Sequence, residues 1–176
     1  MVLEIFFAAG CFWGVEKNFE SIDGVIDAVS GYSGGSYDNP TYEAVLKNRR
    51  LQSEGFLSVL KNIGLSDEDK AKNKNTLVNH TETVKVVYDS SQVSTETLIK
   101  NFWEIHDPTQ FNRQGNDVGN NYRSAIYWTN DEQKNIAIET GLAYQNSYLR
   151  KGMEKLLLKW CLLKNFGQQK TIIKTI

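Results

Sequence analysis

A cysteine stands where a short apolar run meets a helical pattern: Gly10-Cys11-Phe12-Trp13-Gly14-Val15-Glu16, directly after Leu3 to Ala9. A thiol at such a junction faces the unpaired N–H groups of a helix start, where the macrodipole favours negative charge. Helix N-termini lower thiol pKa values toward neutrality, and the thiolate is the attacking species. The two aromatic residues after the thiol, bracketed by glycines, read as one side of an apolar pocket. The competing reading is a small core residue, as unpaired cysteines often are. Position alone leaves these two readings even. The second cysteine, Cys161, lies in Lys159-Trp160-Cys161-Leu162, an apolar helical context that suits a buried structural thiol at least as well. His80 and His106 are the only histidines, and they are too few and too far apart in sequence for a zinc site.

These residues need elements to position them. Residues 2–9 read as a buried strand that ends at Gly10, and Phe12 to Ile22 as a helix with Val15, Phe19 and Ile22 on one face. Asp23-Gly24 stops that helix, and Val25 to Tyr32 reads as a second strand. Gly31 to Tyr42 carries glycines, an Asn-Pro pair and Tyr32, Tyr37 and Tyr42, the pattern of a functional loop rather than a disordered one. Thr83 to Tyr88 is a strand, and Thr95 to His106 a helix capped by Ser94. Residues 109–121 read as a polar loop and Arg123 to Trp128 as a strand. Thr129-x-x-Glu132 opens a last helix near Asp131, which Gly141 and Gly152 weaken. Residues 47–79 read as an insertion, with a short helix near 51–63 and a charged stretch at 66–75. The pattern gives an α+β fold: a mixed sheet with helices packed on one face around a ferredoxin-like split βαβ core.

The 176 residues fit one domain, 1–176, with the insertion at 47–79 and a divergent tail at 137–176. A formal net charge of −1 supplies no field to gather nucleic acid or an anionic membrane, and no apolar run approaches spanning length. Two cysteines make no disulfide framework, which points to a reducing cytoplasmic setting. Asn79-His80-Thr81 matches a glycosylation acceptor, a match of little weight without a secretory signal.

The segment Gly10 to Glu16 resembles the hallmark of the peptide methionine sulfoxide reductase A family. Further stretches resemble that family in the same order: Gly31-Tyr32-Ser33-Gly34-Gly35, Asn39-Pro40-Thr41-Tyr42-Glu43 and Asn79-His80-Thr81-Glu82. Phe102 to Thr109, Asn112 to Gly119 and Tyr122 to Tyr127 complete the series. The resemblance implies an enzyme that reduces methionine S-sulfoxide, free or in peptides and proteins. Cys11 would be the nucleophile, with Glu82 as the acid near the sulfoxide oxygen. Tyr42 and Tyr122 would donate hydrogen bonds to that oxygen, and Asp117 would order the polar side. Phe12 and Trp13 would receive the methyl group, and His80 would be either structural or substrate-lining. No cofactor and no metal are implied. The partners would be oxidised peptides and proteins, with thioredoxin or a small thiol as reductant, acting on a monomer.

The chain also departs from the family pattern. Many members carry a second cysteine just after the Thr-Tyr-x-x-Val segment, where this chain has Leu46. Cys161 is then the only internal candidate to resolve a Cys11 sulfenic acid, a step that needs a thiol. Two rival readings follow: a binder of oxidised methionine that turns over poorly, and a thiol peroxidase or redox sensor built on Cys11.

Overall fold

Aromatic and β-branched residues dominate Val2–Ala8 and Thr81–Asp89, and these form strands β1 and β3 at the centre of the sheet. The computed structural model describes residues 1–49 and 78–150. The helix expected near 51–63, the charged stretch at 66–75, Cys161 and most of the tail lie outside the described residues. In chain order, β1 is followed by helix α1 (Phe12–Glu20), strand β2 (Val25–Ser33) and helix α2 (Tyr42–Asn48). After β3 come helix α3 (Thr95–Glu104), the short strands β4 (Arg113–Gln114) and β5 (Asp117–Val118), and a 3-10 turn at Asn120–Tyr122. Strand β6 (Ala125–Tyr127) and helix α4 (Asp131–Arg150) complete the described chain.

The four-stranded sheet has the order β2-β3-β1-β6. All its pairings are antiparallel, with Phe7 opposite Val84, Ser33 opposite Thr81 and Ala8 opposite Ala125. The sheet expected as mixed is thus antiparallel at each contact, because β3 is inserted between β1 and β2, and β1 between β3 and β6. The parallel relation survives only between next neighbours, which is the split βαβ arrangement. One geometric result matters for the site. β1 and β2 end, and β3 and β6 begin, at the same edge of the sheet.

The larger core lies on one face. Ile5, Phe7, Ala28, Val84, Val86 and Tyr88 from the strands meet Phe12, Val15 and Phe19 of α1, and Leu98, Ile99, Phe102 and Trp103 of α3. Phe7 stacks on Phe19 at 4.6 Å and on Phe102 at 5.4 Å between ring centroids, so one β1 side chain seats both helices. The alternate β1 residues, Phe6 and Ala8, join Ala125 and Tyr127 in a smaller cluster. Glu16 of α1 accepts the N–H of Ser30 at 2.6 Å, covering a donor on the edge strand β2.

Several element ends follow from specific hydrogen bonds. Helix α1 closes at Glu20 rather than Ile22, because Ser21 and Ile22 donate to carbonyls three residues back and tighten the last turn. Ser94 caps α3 as expected, accepting the Thr97 N–H at 3.1 Å. Ser94→Ala should therefore lower the unfolding free energy by about 1 kcal/mol in a urea titration, with no change in activity. The cap of α4 sits one residue later than the Thr129-x-x-Glu132 pattern indicates. Asn130 Oδ1 accepts the Gln133 N–H at 2.9 Å, and Gln133 Oε1 reaches back to the Thr129 N–H at 2.7 Å. Helix α4 runs through Gly141, anchored where Trp103 Nε1 donates to Thr140 Oγ1 at 3.1 Å.

His106, at the end of α3, is neutral. It is 9 % exposed, and burial pushes its pKa down to about 4. Its Nδ1 donates to the Phe102 carbonyl and its Nε2 accepts from Ser124 Oγ, each at 2.7 Å. It still satisfies a helix-end carbonyl, as an imidazole rather than an imidazolium. Among the described residues no helix is long and apolar enough to cross a membrane.

Candidate active site

Gly10 makes the turn from β1 into α1 with φ of +97°, a conformation open to glycine, and a Cβ there would press on the Gln114 side chain at 2.8 Å. The turn leaves Cys11 at the N-cap of α1, half-buried, with no capping hydrogen bond from its side chain. The thiol is thus free of any structural duty at the helix start. The next residue, Phe12, donates its N–H to Glu82 Oε2 at 3.2 Å. A carboxyl from the second residue of β3 therefore sits at the same helix terminus as the thiol.

Glu82 is 3 % exposed. Burial raises its pKa to about 7, against the lowering effect of the Phe12 N–H and of the Asn121 amide, which donates to Oε1 at a long 3.5 Å. The charge of Asp117 adds to the rise. At neutral pH this carboxyl is part protonated, so it can give a proton as well as accept one.

Tyr122, in the 3-10 turn before β6, lies within electrostatic reach of Glu82, Asp117 and Tyr42, and burial followed by Glu82 raises its phenol above the ordinary range. Tyr42 opens α2, whose cap is Thr41 Oγ1 accepting from the Ala44 N–H at 3.2 Å, and it is half exposed. Asp117 opens β5 and is exposed. The structure thus gathers Cys11, Glu82, Tyr42, Asp117 and Tyr122 at the one edge where β1 and β2 end and β3 and β6 begin.

The other expected residues are placed differently. Phe12 is buried in the core with its ring 5.7 Å from that of Tyr32, whereas Trp13 is 68 % exposed, so only Trp13 offers an open aromatic surface beside the thiol. His80 is fully buried, with its ring nitrogens bonded to the loop before α2. Nδ1 accepts the Gly35 N–H at 3.3 Å and Nε2 donates to the Tyr37 carbonyl at 2.8 Å. Of the two roles open to it from sequence, this placement fits the structural one. A Cβ on Gly35 would run into the His80 ring, so this loop needs its glycine.

Two residues named in the sequence have placements that it did not reveal. Asn79 is fully buried and its amide donates to the Val45 carbonyl at 2.9 Å and to Asn120 Oδ1 at 2.8 Å, while its Oδ1 accepts from Tyr37 at 2.8 Å. This small network ties α2, which carries Tyr42, to the turn that carries Tyr122. It also leaves no amide free for a glycan, which closes the acceptor reading of Asn79. The second is Tyr32, whose ring is buried opposite Glu82. The sequence placed Tyr32 at the end of a strand, but not where its hydroxyl would lie.

A cavity of about 530 Å³ opens where Asp117 and Tyr122 meet Arg49, Phe111 and Asn112. Cys11, Glu82 and Tyr42 do not line it, so of the five gathered residues only Asp117 and Tyr122 border this space. Among the described residues no group of three or more His, Cys, Asp or Glu side chains could hold a metal ion.

A free thiol, a buried carboxyl and phenols thus stand together at one edge of an α+β sheet, an arrangement that suits thiol chemistry assisted by an acid. The family model for peptide methionine sulfoxide reductase matches residues 3–57 and 69–168. Its interruption falls inside the expected insertion, and its match runs well into the tail. The peptide methionine sulfoxide reductase MsrA of Vibrio vulnificus is 41% identical over 142 residues, covering 81% of this chain and 54% of that protein. A peptide methionine sulfoxide reductase of Brassica napus is 38% identical over 165 residues, covering 93% of this chain and 53% of that protein. The solved structure of methionine sulfoxide reductase A of Corynebacterium diphtheriae superposes with a TM-score of 0.69 at 33% identity, covering 89% of this chain and 62% of that one. The chain belongs to the peptide methionine sulfoxide reductase family. It spans about half the length of the curated relatives it matches.

Proposed function

We propose that this chain reduces methionine S-sulfoxide, free and in peptides and proteins, to methionine. The observation that carries the reading is the Phe12 N–H bond to Glu82, which seats a buried carboxyl titrating near pH 7 at the helix terminus that holds the Cys11 thiol. The thiolate of Cys11 attacks the sulfoxide sulfur while Glu82 protonates the sulfoxide oxygen. The sulfur–oxygen bond of the substrate breaks, and the oxygen passes to Cys11 as a sulfenic acid. The substrate sulfur gains the two electrons that the cysteine sulfur loses. Tyr42 and Tyr122 donate to the oxygen as charge builds on it, and Asp117 orders the polar side. Trp13 covers the methyl group.

Regeneration consumes two external thiol groups. The first forms a mixed disulfide with Cys11 and releases water, and the second displaces Cys11 as a thiol. Thioredoxin or a small thiol fills this role, and Cys161 remains the internal candidate. A reducing compartment such as the cytoplasm suits a site that works through a free thiol. Cys11, Glu82, Tyr42, Tyr122, Asp117 and Trp13 all come from one chain, consistent with action as a monomer. The test is chiral: loss of the S and R epimers of methionine sulfoxide is followed with dithiothreitol and then with reduced thioredoxin. Consumption of the S epimer alone is expected. Consumption of neither epimer with either reductant, or equal consumption of both, would overturn the proposal.

A further inference from the structure

Tyr32 is the last but one residue of β2 and lies directly opposite Glu82 on β3. Directly opposed residues of an antiparallel pair project to the same face of the sheet. The Tyr32 side chain is 2 % exposed, and the Phe12 ring at 5.7 Å fixes its plane. Its hydroxyl is fully buried and has no hydrogen-bond partner. A buried hydroxyl left unpaired costs stability, so a position that needed only an aromatic wall would be served better by phenylalanine. The groups whose charge reaches the Tyr32 phenol are Glu82, Tyr42, Tyr122 and Glu43, in that order after burial itself. Three of these four are the expected partners of the sulfoxide oxygen. The orphan hydroxyl therefore ends inside the acid cluster and not in the hydrocarbon core.

Resting on the function proposed above, we infer that Tyr32 is a third phenolic donor to the sulfoxide oxygen, on the strand position facing Glu82. Burial and the neighbouring acid hold the phenol protonated throughout the working range. It therefore remains a donor above pH 7, where Glu82 has lost its proton. The two groups divide the work: Glu82 moves the proton, and Tyr32 holds the oxygen. The arrangement also favours product release. Once the oxygen has left, the thioether offers the hydroxyl no comparable acceptor, so methionine is held less tightly than its sulfoxide.

The test is Tyr32→Phe, which removes one oxygen atom and keeps the ring. Turnover of the S epimer with excess dithiothreitol, thermal midpoint, and labelling of Cys11 by an aromatic disulfide resolved by peptide mass are read together. The disulfide reaction needs the thiolate but no donor to an oxygen. A fall in kcat/KM of about 10²-fold is expected, with an unchanged or raised midpoint and unchanged labelling. A kcat/KM within twofold of the native chain would overturn the assignment alone. So would a parallel fall in midpoint and labelling, which marks a structural role. Failure of the native chain to reduce the S epimer would overturn the function reading itself, and this assignment with it.

Discussion

Cys11→Ser loses methionine S-sulfoxide reduction by more than about 10⁴-fold, a barrier increase of about 5.4 kcal/mol, while the fold stays intact. Serine is nearly isosteric, and its alkoxide is not available at neutral pH to attack sulfur. The structural cost is absent because the Cys11 side chain makes no capping bond and is only half-buried. Serine is a better N-cap than cysteine, so the unfolding midpoint should hold or rise slightly. Consumption of the S epimer with dithiothreitol, measured beside an unfolding curve, separates the two effects. Native-like turnover in the variant would remove the nucleophile from the mechanism. A binder that does not turn over would show the reverse pattern, with the native chain as slow as the variant and both holding the sulfoxide.

Glu82→Gln lowers kcat/KM by about 10²- to 10⁴-fold near neutral pH, the usual worth of a positioned acid. Glutamine keeps an oxygen to accept the Phe12 N–H. The Asn121 amide can turn its unpartnered Oδ1 toward the new NH₂ group, so the site can stay satisfied. The native basic limb, falling above about pH 7 as Glu82 deprotonates, disappears in the variant. Retention of that limb in the variant would assign it to another group.

The same substitution has a thermodynamic signature. Glu82 binds its proton more tightly folded than unfolded, from about 4.5 to about 7, so its contribution to stability falls as pH rises through that interval. His106 does the opposite, from about 6.5 unfolded to about 4 folded, so its contribution is full above pH 6.5 and is lost as pH falls to 4. His80, also held neutral by burial, acts in the same sense as His106. Between pH 4.5 and 6.5 the carboxyl and the imidazoles offset one another in the native chain. In Glu82→Gln the offset is gone, and the unfolding free energy should drop by about 3 kcal/mol between pH 6.5 and 4. A flat profile in the variant would contradict the buried, neutral state of His106.

Much of the frame can be read from residue types. Strands β1 and β3 carry aromatic and β-branched runs bounded by turn residues, and Ser94 announces α3. The ribbon of β4 and β5 could not be read, because two-residue strands have no period. It depends on Gly115 taking φ of +58° in the turn between them. The cap of α4 was misplaced by one residue because Thr129 and Asn130 are both capping types. Their roles separate only in three dimensions, where Thr129 Oγ1 donates to the Glu4 carbonyl at 3.0 Å.

The site shows the same division. Ordered motifs mark Cys11, Tyr42, Glu82, Asp117 and Tyr122, since each sits in a segment with its own pattern. Tyr32 and Asn79 sit in such segments too, but their roles depend on which strand faces which. The protonation of His106 likewise follows from burial against Phe102 and Ser124, which spacing along α3 does not reveal.

The insertion of β3 between β1 and β2 divides the candidate site between two halves of the chain. Cys11 and Tyr32 come from β1-α1-β2, whereas Glu82, Asp117 and Tyr122 come from the half that contains β3, α3 and β6. Neither half holds both a nucleophile and an acid. They meet only when Val2–Phe7 pairs with Val84–Asp89, a contact between residues 77 to 87 positions apart in the chain. Such distant pairing closes late and slowly during folding. A chain in which this pairing has not formed therefore carries the Cys11 thiol without the Glu82 carboxyl beside it.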